Sequence, residues 1–202
     1  MEKYNDLDSC FRDVWNKMYR GAVKAKDDFH LPALATTDGE KAGVRTVVLR
    51  ETDTENYLLT CYSDIRAVKT ANLKIYPQAT WLFWSKKLNL QIRASGKSTV
   101  MHLDETARAH WDKISPRSRK DYCSKNAPGT EIDSPRVTET HPDWWGESDM
   151  MTQENTDFGF DNFAVITSII DDLDVLQILK EGHRRARFCR QREDWEKSWV
   201  IP

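Results

Sequence analysis

Gly43-Val44-Arg45-Thr46-Val47-Val48-Leu49-Arg50 reads as a single β-strand, an apolar run framed by two arginines. Its valines and threonine favour extended backbone. A guanidinium is costly to hide without a partner, so arginines bracketing a buried strand call for an anion. Arg45 and Arg50 are five positions apart, roughly 17 Å along an extended chain. One phosphate cannot meet both. A long ligand with a phosphate at one end and a polar ring at the other can.

Working outward, Ala33 to Thr37 reads as the preceding strand and Asp38-Gly39 as the turn between the two. Before it, residues 7–23 read as a helix, with Phe11, Val14, Trp15, Met18 and Tyr19 on one face and Asp8 or Ser9 as cap. On the other side, Tyr57 to Tyr62 is a third strand. Residues 64–75 read as a short helix stopped by Pro77. Thr80 to Trp84 is almost all apolar, which predicts burial on both faces. Leu88 to Val100 alternates: Leu88, Leu90, Ile92 and Ala94 face one way, Asn89, Gln91, Arg93 and Ser95 the other, with Gly96 marking a bulge. Helices follow from Asp104 through Trp111 and from Ser115-Pro116. Residues 126–157 show no periodicity and read as a long loop. Asn162 to Ile170, Val175 to Ile178 and His183 to Arg190 complete the strands. Six or seven strands joined by short turns favour an antiparallel barrel decorated by helices over a parallel α/β sheet.

Composition bounds the rest. At 202 residues, 39% hydrophobic and 31% charged, the chain suits one domain with a compact core. Eight tryptophans suit that core and a subunit interface. A net charge of -2 offers no global attraction to nucleic acid or membrane. The basic run from His183 to Arg192 would permit a nucleic-acid contact, but the acidic segment 131–157 opposes it. Cys10, Cys61, Cys123 and Cys189 form no CxxC pair, and the histidines have no ligand spacing, so no metal site is expected. Nothing resembles a leader or membrane span, and cytoplasmic residence is the expectation.

Tyr62 and Ser63, followed by Arg66 and Lys69 on one helix face, form a candidate phosphate cradle. The alternative is a pair of solvated helix charges.

In this order the pieces resemble the flavin-binding split-barrel proteins related to pyridoxamine 5'-phosphate oxidase. The stretches are Leu34-Ala35-Thr36 before a glycine turn, Arg45 to Arg50, Tyr62-Ser63 with Lys69, Trp84, Leu90 to Gly96, and His183 to Phe188 with Trp195 and Pro202. They span residues 10–123 and 160–202. The resemblance implies a six-stranded antiparallel split β-barrel of Greek-key type with peripheral helices. It also implies a homodimer and FMN at the subunit interface. The whole of 1–202 is then one FMN-binding domain, with 124–159 an irregular insert.

The resemblance assigns Arg45, Thr46, Val47, Val48 and Arg50 to the first flavin-binding strand, with arginine at 50 where many members have lysine. Tyr62, Ser63 and Lys69 fall on the phosphate side. The family's Ser-Arg-Lys run is Ala67-Val68-Lys69 here, and Arg66 is the candidate replacement guanidinium. Gln91 and Arg187 match flavin-contacting positions, whereas the family's tryptophan ten residues before Arg187 is Gln177. In a strand, His183, Arg185, Arg187 and Cys189 share one face, and their charges call for an anion, a flavin phosphate or an anionic substrate; a solvated edge strand is the alternative. The substrate positions read Trp111, Ser115 and Arg119 on the helices and His183 and Arg185 near the C-terminus. Those departures leave vitamin B6 phosphate unsupported as substrate. His183 is a candidate acid–base group beside a phosphate-binding or structural role.

The implied activity is an FMN-dependent oxidoreductase that passes hydride from a small, phosphorylated or unphosphorylated amine to flavin and then to dioxygen. The alternative is an FMN-binding protein without vitamin B6 oxidase activity, a carrier or sensor.

Overall fold

The arginine-framed strand does not run straight. The computed structural model, which describes residues 4–133, 141–142, 148–192 and 194–202, divides it into β2 (Ala42–Thr46) and β3 (Glu51–Asp53). Up to Leu49 the chain pairs with β1 (Ala33–Thr37) and the residues before it. Val47 N donates to Pro32 O at 2.9 Å and Leu49 N to His30 O at 2.9 Å. At Arg50 the partner changes: its N–H donates to Thr60 O at 2.8 Å, and β3 continues along β4 (Leu58–Asp64). One covalent segment therefore forms both ends of the sheet.

Between those ends lie β5 (Gln78–Ser85), β6 (Leu90–Met101) and β7 (Phe163–Gln177), in the order β2-β1-β5-β6-β7-β4-β3 with every pairing antiparallel. The bent segment with β1, β5, β6, β7 and β4 makes the six-stranded barrel expected from the sequence. β8 (Arg184–Gln191) and β9 (Asp194–Val200) add a hairpin to the second half of β7.

Alternation sets the core. Leu34, Leu59, Trp81, Phe83, Ile92 and Ile166 point inward and are fully buried. Trp81 Nε1 donates to Ser168 Oγ at 2.9 Å, so the one polar atom of that indole is satisfied in the barrel. β6 shifts register between Ser95 and Gly96, the bulge read from the glycine. A Cβ at Gly96 would lie 1.9 Å from Ile169 O, so only glycine fits this crossing. Helix α1 (Leu7–Val23) packs Phe11 and Trp15 against Tyr57, Phe188 and Trp195. Its cap is Asp6, two positions before Asp8 and three before Ser9, the expected residues, accepting from Ser9 N at 2.7 Å.

Outside β4 and β7 a second cluster gathers Ala107, Trp111, Ile114, Phe160, Phe163 and Val165. It lies under α3 (Glu105–Trp111), α4 (Pro116–Arg119) and α5 (Gln153–Thr156). Part of the expected 124–159 loop is therefore helical turn, and Trp144 and Trp145 lie outside the described residues.

Three expectations need correction. β5 is not buried on both faces: Leu82 and Trp84 are 38% and 43% exposed on the outer one. β7 is continuous where two strands were expected, because Asp172 and Asp174 face outward and are neutralised across the sheet by Arg187 and Arg185. The helix read over 64–75 begins only at Val68, as α2 (Val68–Ile75), since Asp64 to Ala67 form a turn. β9 was not anticipated; most of its residues are exposed and its alternation is weak.

Candidate functional site

Arg45 turns inward at one mouth of the barrel. Its Nη1 donates to Thr36 Oγ1 at 2.8 Å, Gly43 O at 2.8 Å and Leu34 O at 3.2 Å. All three acceptors are uncharged, and burial pulls the arginine below its ordinary pKa. A Cβ at Gly43 would come within 2.7 Å of Arg45 Nη2, so that glycine makes room for the folded-back guanidinium.

Lys69 sits in the first turn of α2, where the N-cap Ala67 provides no side-chain hydrogen bond. The lysine has no hydrogen bond or ion pair among the described residues. Burial lowers its pKa, and the charge on Arg45 lowers it further against the opposing effects of Cys61 and Asp64. Lys69 in the first turn of α2 and Arg45 on β2, half-hidden and with no carboxylate bonded to either among the described residues, could hold an anion.

The same segment presents Thr46, Val48 and Arg50 outward. Between Val47 and Leu49, whose N–H groups are bonded, the Val48 N–H has no acceptor among the described residues. Arg50 lies over the Tyr62 ring, 5.3 Å from its centroid. Tyr62 shares a hydrogen bond with His110 Nδ1 at 3.0 Å, and His110 Nε2 lies 3.9 Å from Glu51. Burial raises the tyrosine pKa and lowers that of His110, so both are neutral near pH 7. The sequence analysis missed His110 and Glu51 as site neighbours, because their approach depends on α3 docking against β4 rather than on spacing along the chain. Ser63 points the other way: it is buried and donates to Asp64 O at 3.0 Å.

Arg66 is already engaged. It is clamped to Asp64 through Nε at 3.0 Å and Nη2 at 2.7 Å, and it donates to the carbonyls of Ser124 and Lys125. Trp111 and Arg119, expected against substrate, are buried in the second cluster. Trp111 Nε1 donates to Asp157 at 2.8 Å, and Arg119 Nη2 donates to Trp111 O at 2.9 Å with its guanidinium 4.6 Å from the indole. Both serve packing, and neither lines an open cleft.

Gln91 and Arg187 stand on the outer face of β6 and β8. Gln91 is paired across strands with the exposed Trp84. Arg187 is bound to Asp172 at 3.0 Å, and Arg185 to Asp174 at 2.6 Å, where Arg93 also binds. The anion that these cations called for is thus supplied by β7, and the paired hairpin strand β9 excludes the edge-strand alternative. His183 is not in the strand; it lies in the preceding turn, its Nδ1 accepting from Leu179 N at 3.2 Å.

Going round the sheet from β2, β6 is three strands away, and from β3, the other end of the same bent segment, β8 is reached through β4 and β7 in three steps. At about 4.8 Å per step each is roughly 14 Å along the surface. The sequence-predicted residues thus form two groups, one at Arg45, Val48, Arg50, Tyr62 and Lys69, the other at Gln91 and Arg187.

Residues 12–102 match the family model of the pyridoxamine 5'-phosphate oxidase FMN-binding domain. The resemblance to that FMN-binding domain covers 91 of the 202 residues. Among solved structures, a pyridoxamine 5'-phosphate oxidase-related, FMN-binding protein from Nostoc punctiforme is similar at 18% identity and TM-score 0.71, over 95% of this chain and 96% of that one. PhzG from Burkholderia lata, in complex with tetrahydrophenazine-1-carboxylic acid, is similar at 14% identity and TM-score 0.64, over 96% and 90%. A general stress protein 26-related protein from Clostridium acetobutylicum is similar at 9% identity and TM-score 0.52, over 90% and 95%. At these identities the likeness is one of fold. No curated protein matches the chain in sequence. Among the described residues no helix is long and apolar enough to cross a membrane.

Proposed function

We propose that the chain is an FMN-dependent oxidoreductase acting on a small amine. In this reading all of 1–202 forms one domain, and two copies form a homodimer. Each flavin lies between the seam of one protomer and the Gln91–Arg187 face of its partner. The observation that carries the reading is the pair Arg45 and Lys69, two partly buried cations at one mouth without a carboxylate bonded to either. The exposed apolar residues Val44, Leu82 and Trp84 on the outer face between the two groups suit a subunit contact.

The chemistry supplied by bound FMN is two-electron oxidation, with dioxygen as final acceptor. Lys69 and Arg45 hold the phosphate, with Ser63 close by in the chain and Thr46 and Val47 supplying backbone along the strand. The free Val48 N–H gives a hydrogen bond to the flavin's polar edge. Arg50, held over Tyr62, places a positive charge where negative charge gathers on the reduced ring. Gln91 and Arg187 of the other copy close the site, Arg187 exchanging part of its bond to Asp172.

A second reading, an FMN-binding carrier or sensor without vitamin B6 oxidase activity, draws support from the burial of Trp111 and Arg119. With those two in the core, the family's substrate-phosphate set is absent from the helices. His183 and Arg185 remain candidates at the other group.

The test is the visible spectrum of the purified protein and the mass of whatever it releases on heating. Oxidised-flavin bands and released FMN are expected, with a dimer mass by light scattering. Colourless protein that takes up no added FMN overturns the reading. Peroxide release with small amines then separates the oxidase from the carrier.

A further inference from the structure

Beside Arg50 lies an open groove of about 380 Å³ on the outer face of β3, β4, β7 and the end of β6. Its floor carries Leu58, Met101 and Ile169, and its hydroxyls come from Thr60, Thr99 and Thr167. The Thr60 and Thr167 hydroxyls share a hydrogen bond at 3.0 Å, a paired donor and acceptor in an otherwise apolar floor. His110 and Thr106 of α3 form one wall, and Glu51 and Asp53 of β3 the other. This is the size and make-up of a small-molecule pocket, a largely apolar cleft with a few placed polar groups.

The charge of the groove is specific. No lysine or arginine lines it among the described residues. Asp53 is held by its own turn, accepting from Glu55 N at 2.9 Å, Asn56 N at 2.9 Å and Asn56 Nδ2 at 2.7 Å, and it keeps its negative charge. The Glu51 carboxylate has no hydrogen bond among the described residues, and it lies 3.9 Å from His110 Nε2. Burial keeps that imidazole neutral. A phosphate ester would meet two carboxylates in the lining and no cation there. An ammonium group would meet charge partners, and its hydrocarbon body would cover Leu58, Met101 and Ile169.

We propose that this groove is the substrate subsite and that it takes an unphosphorylated alkyl or aryl amine, with the ammonium facing Glu51. The proposal rests on the flavin reading above, since Arg50 and Tyr62 place the groove at the flavin's edge. It sharpens that reading, which left phosphorylated and unphosphorylated amines both open.

The test uses the full-length protein as purified, titrated calorimetrically with benzylamine and with pyridoxine 5'-phosphate, which carries a phosphate and no amine. Benzylamine is expected to bind and pyridoxine 5'-phosphate to bind far more weakly. Glu51→Gln should weaken benzylamine by about three- to fivefold, the range for a solvent-accessible charge pair, without altering FMN content. Glu51→Lys should reverse the order of the two ligands. Tighter binding of pyridoxine 5'-phosphate than of benzylamine overturns the proposal, as does benzylamine binding that both variants leave unchanged, or its absence in flavin-loaded protein. If the protein takes no flavin but binds benzylamine through Glu51, the groove assignment stands and the flavin reading falls; the two failures are thereby distinguishable.

Discussion

Replacing Lys69 by methionine should move flavin affinity and apoprotein stability differently. In the flavin-free fold the ammonium is partly buried, has no bonded partner among the described residues, and is pushed further toward neutrality by Arg45. Methionine keeps the aliphatic stem and removes the charge, so the melting temperature of the apoprotein should hold or rise. Flavin binding should suffer, because a hydrogen bond to a charged group is worth about 1.5–3 kcal/mol. That corresponds to a dissociation constant raised about 10- to 150-fold. Quenching of flavin fluorescence gives the affinity, and a thermal melt of the stripped protein gives the stability. The pH dependence adds a third readout. The lysine's pKa is lowered from 10.5 in the fold, so between the two values the unfolded chain holds more protons. The wild-type apoprotein should therefore gain stability over the variant as pH rises through that window, and flavin should reduce the gain. An unchanged affinity would refute the assignment of Lys69. So would a fall of more than about 3 °C in the apoprotein melt, roughly 1 kcal/mol for a chain of this size, since that would mark the lysine as structural.

Gly43→Ala should displace the Arg45 guanidinium rather than the backbone, because the close atom is the end of a flexible side chain; flavin retention should fall about tenfold while the apoprotein melt changes little. Gly96→Ala drives a Cβ into the Ile169 carbonyl and should cost more than about 3 kcal/mol, seen as insoluble protein or a collapsed melting temperature; a variant melting like wild type would disprove the bulge. Asp157 has a lowered pKa, chiefly through the Trp111 indole N–H and then Arg108. Its contribution is present above the ordinary carboxylate pKa and is lost as pH falls through the lowered one. Asp157→Asn should therefore destabilise at pH 7 and lose its difference from wild type in strong acid, as followed by tryptophan fluorescence.

The barrel was legible in the sequence wherever alternation was clean. Leu90, Ile92 and Ala94 against Gln91, Arg93 and Ser95 gave the inner and outer faces of β6 directly, and Gly96 gave the bulge. The bend between Thr46 and Glu51 was not legible: valine and leucine continue through it, and the change of partner from His30 to Thr60 is made by backbone alone. That Arg45 and Lys69 lie half-buried without a bonded carboxylate among the described residues is in keeping with the anion the sequence calls for there. The fate of the other cations was hidden in register. Arg66 is bonded to Asp64 two positions back, and Arg185 and Arg187 are bonded to Asp174 and Asp172 on a neighbouring strand. Composition says that cations are present; pairing says which of them are already neutralised. Trp111 and Arg119 were misplaced for a related reason. A tryptophan and an arginine two turns apart serve packing as well as recognition, and only the second cluster shows that they pack here.

That second cluster has an evolutionary consequence. Val47 and Leu49 of the bent segment belong to the main core, so a change at either strikes folding directly. The helices over Phe163 and Val165 form their own smaller core, with Asp157 tying Trp111, Arg108 and Arg119. Such a cap can be rewritten residue by residue, or grafted from a distant homologue, while the scaffold beneath keeps its shape. Catalytic repertoire can then diverge at one end of the molecule without drift at the other.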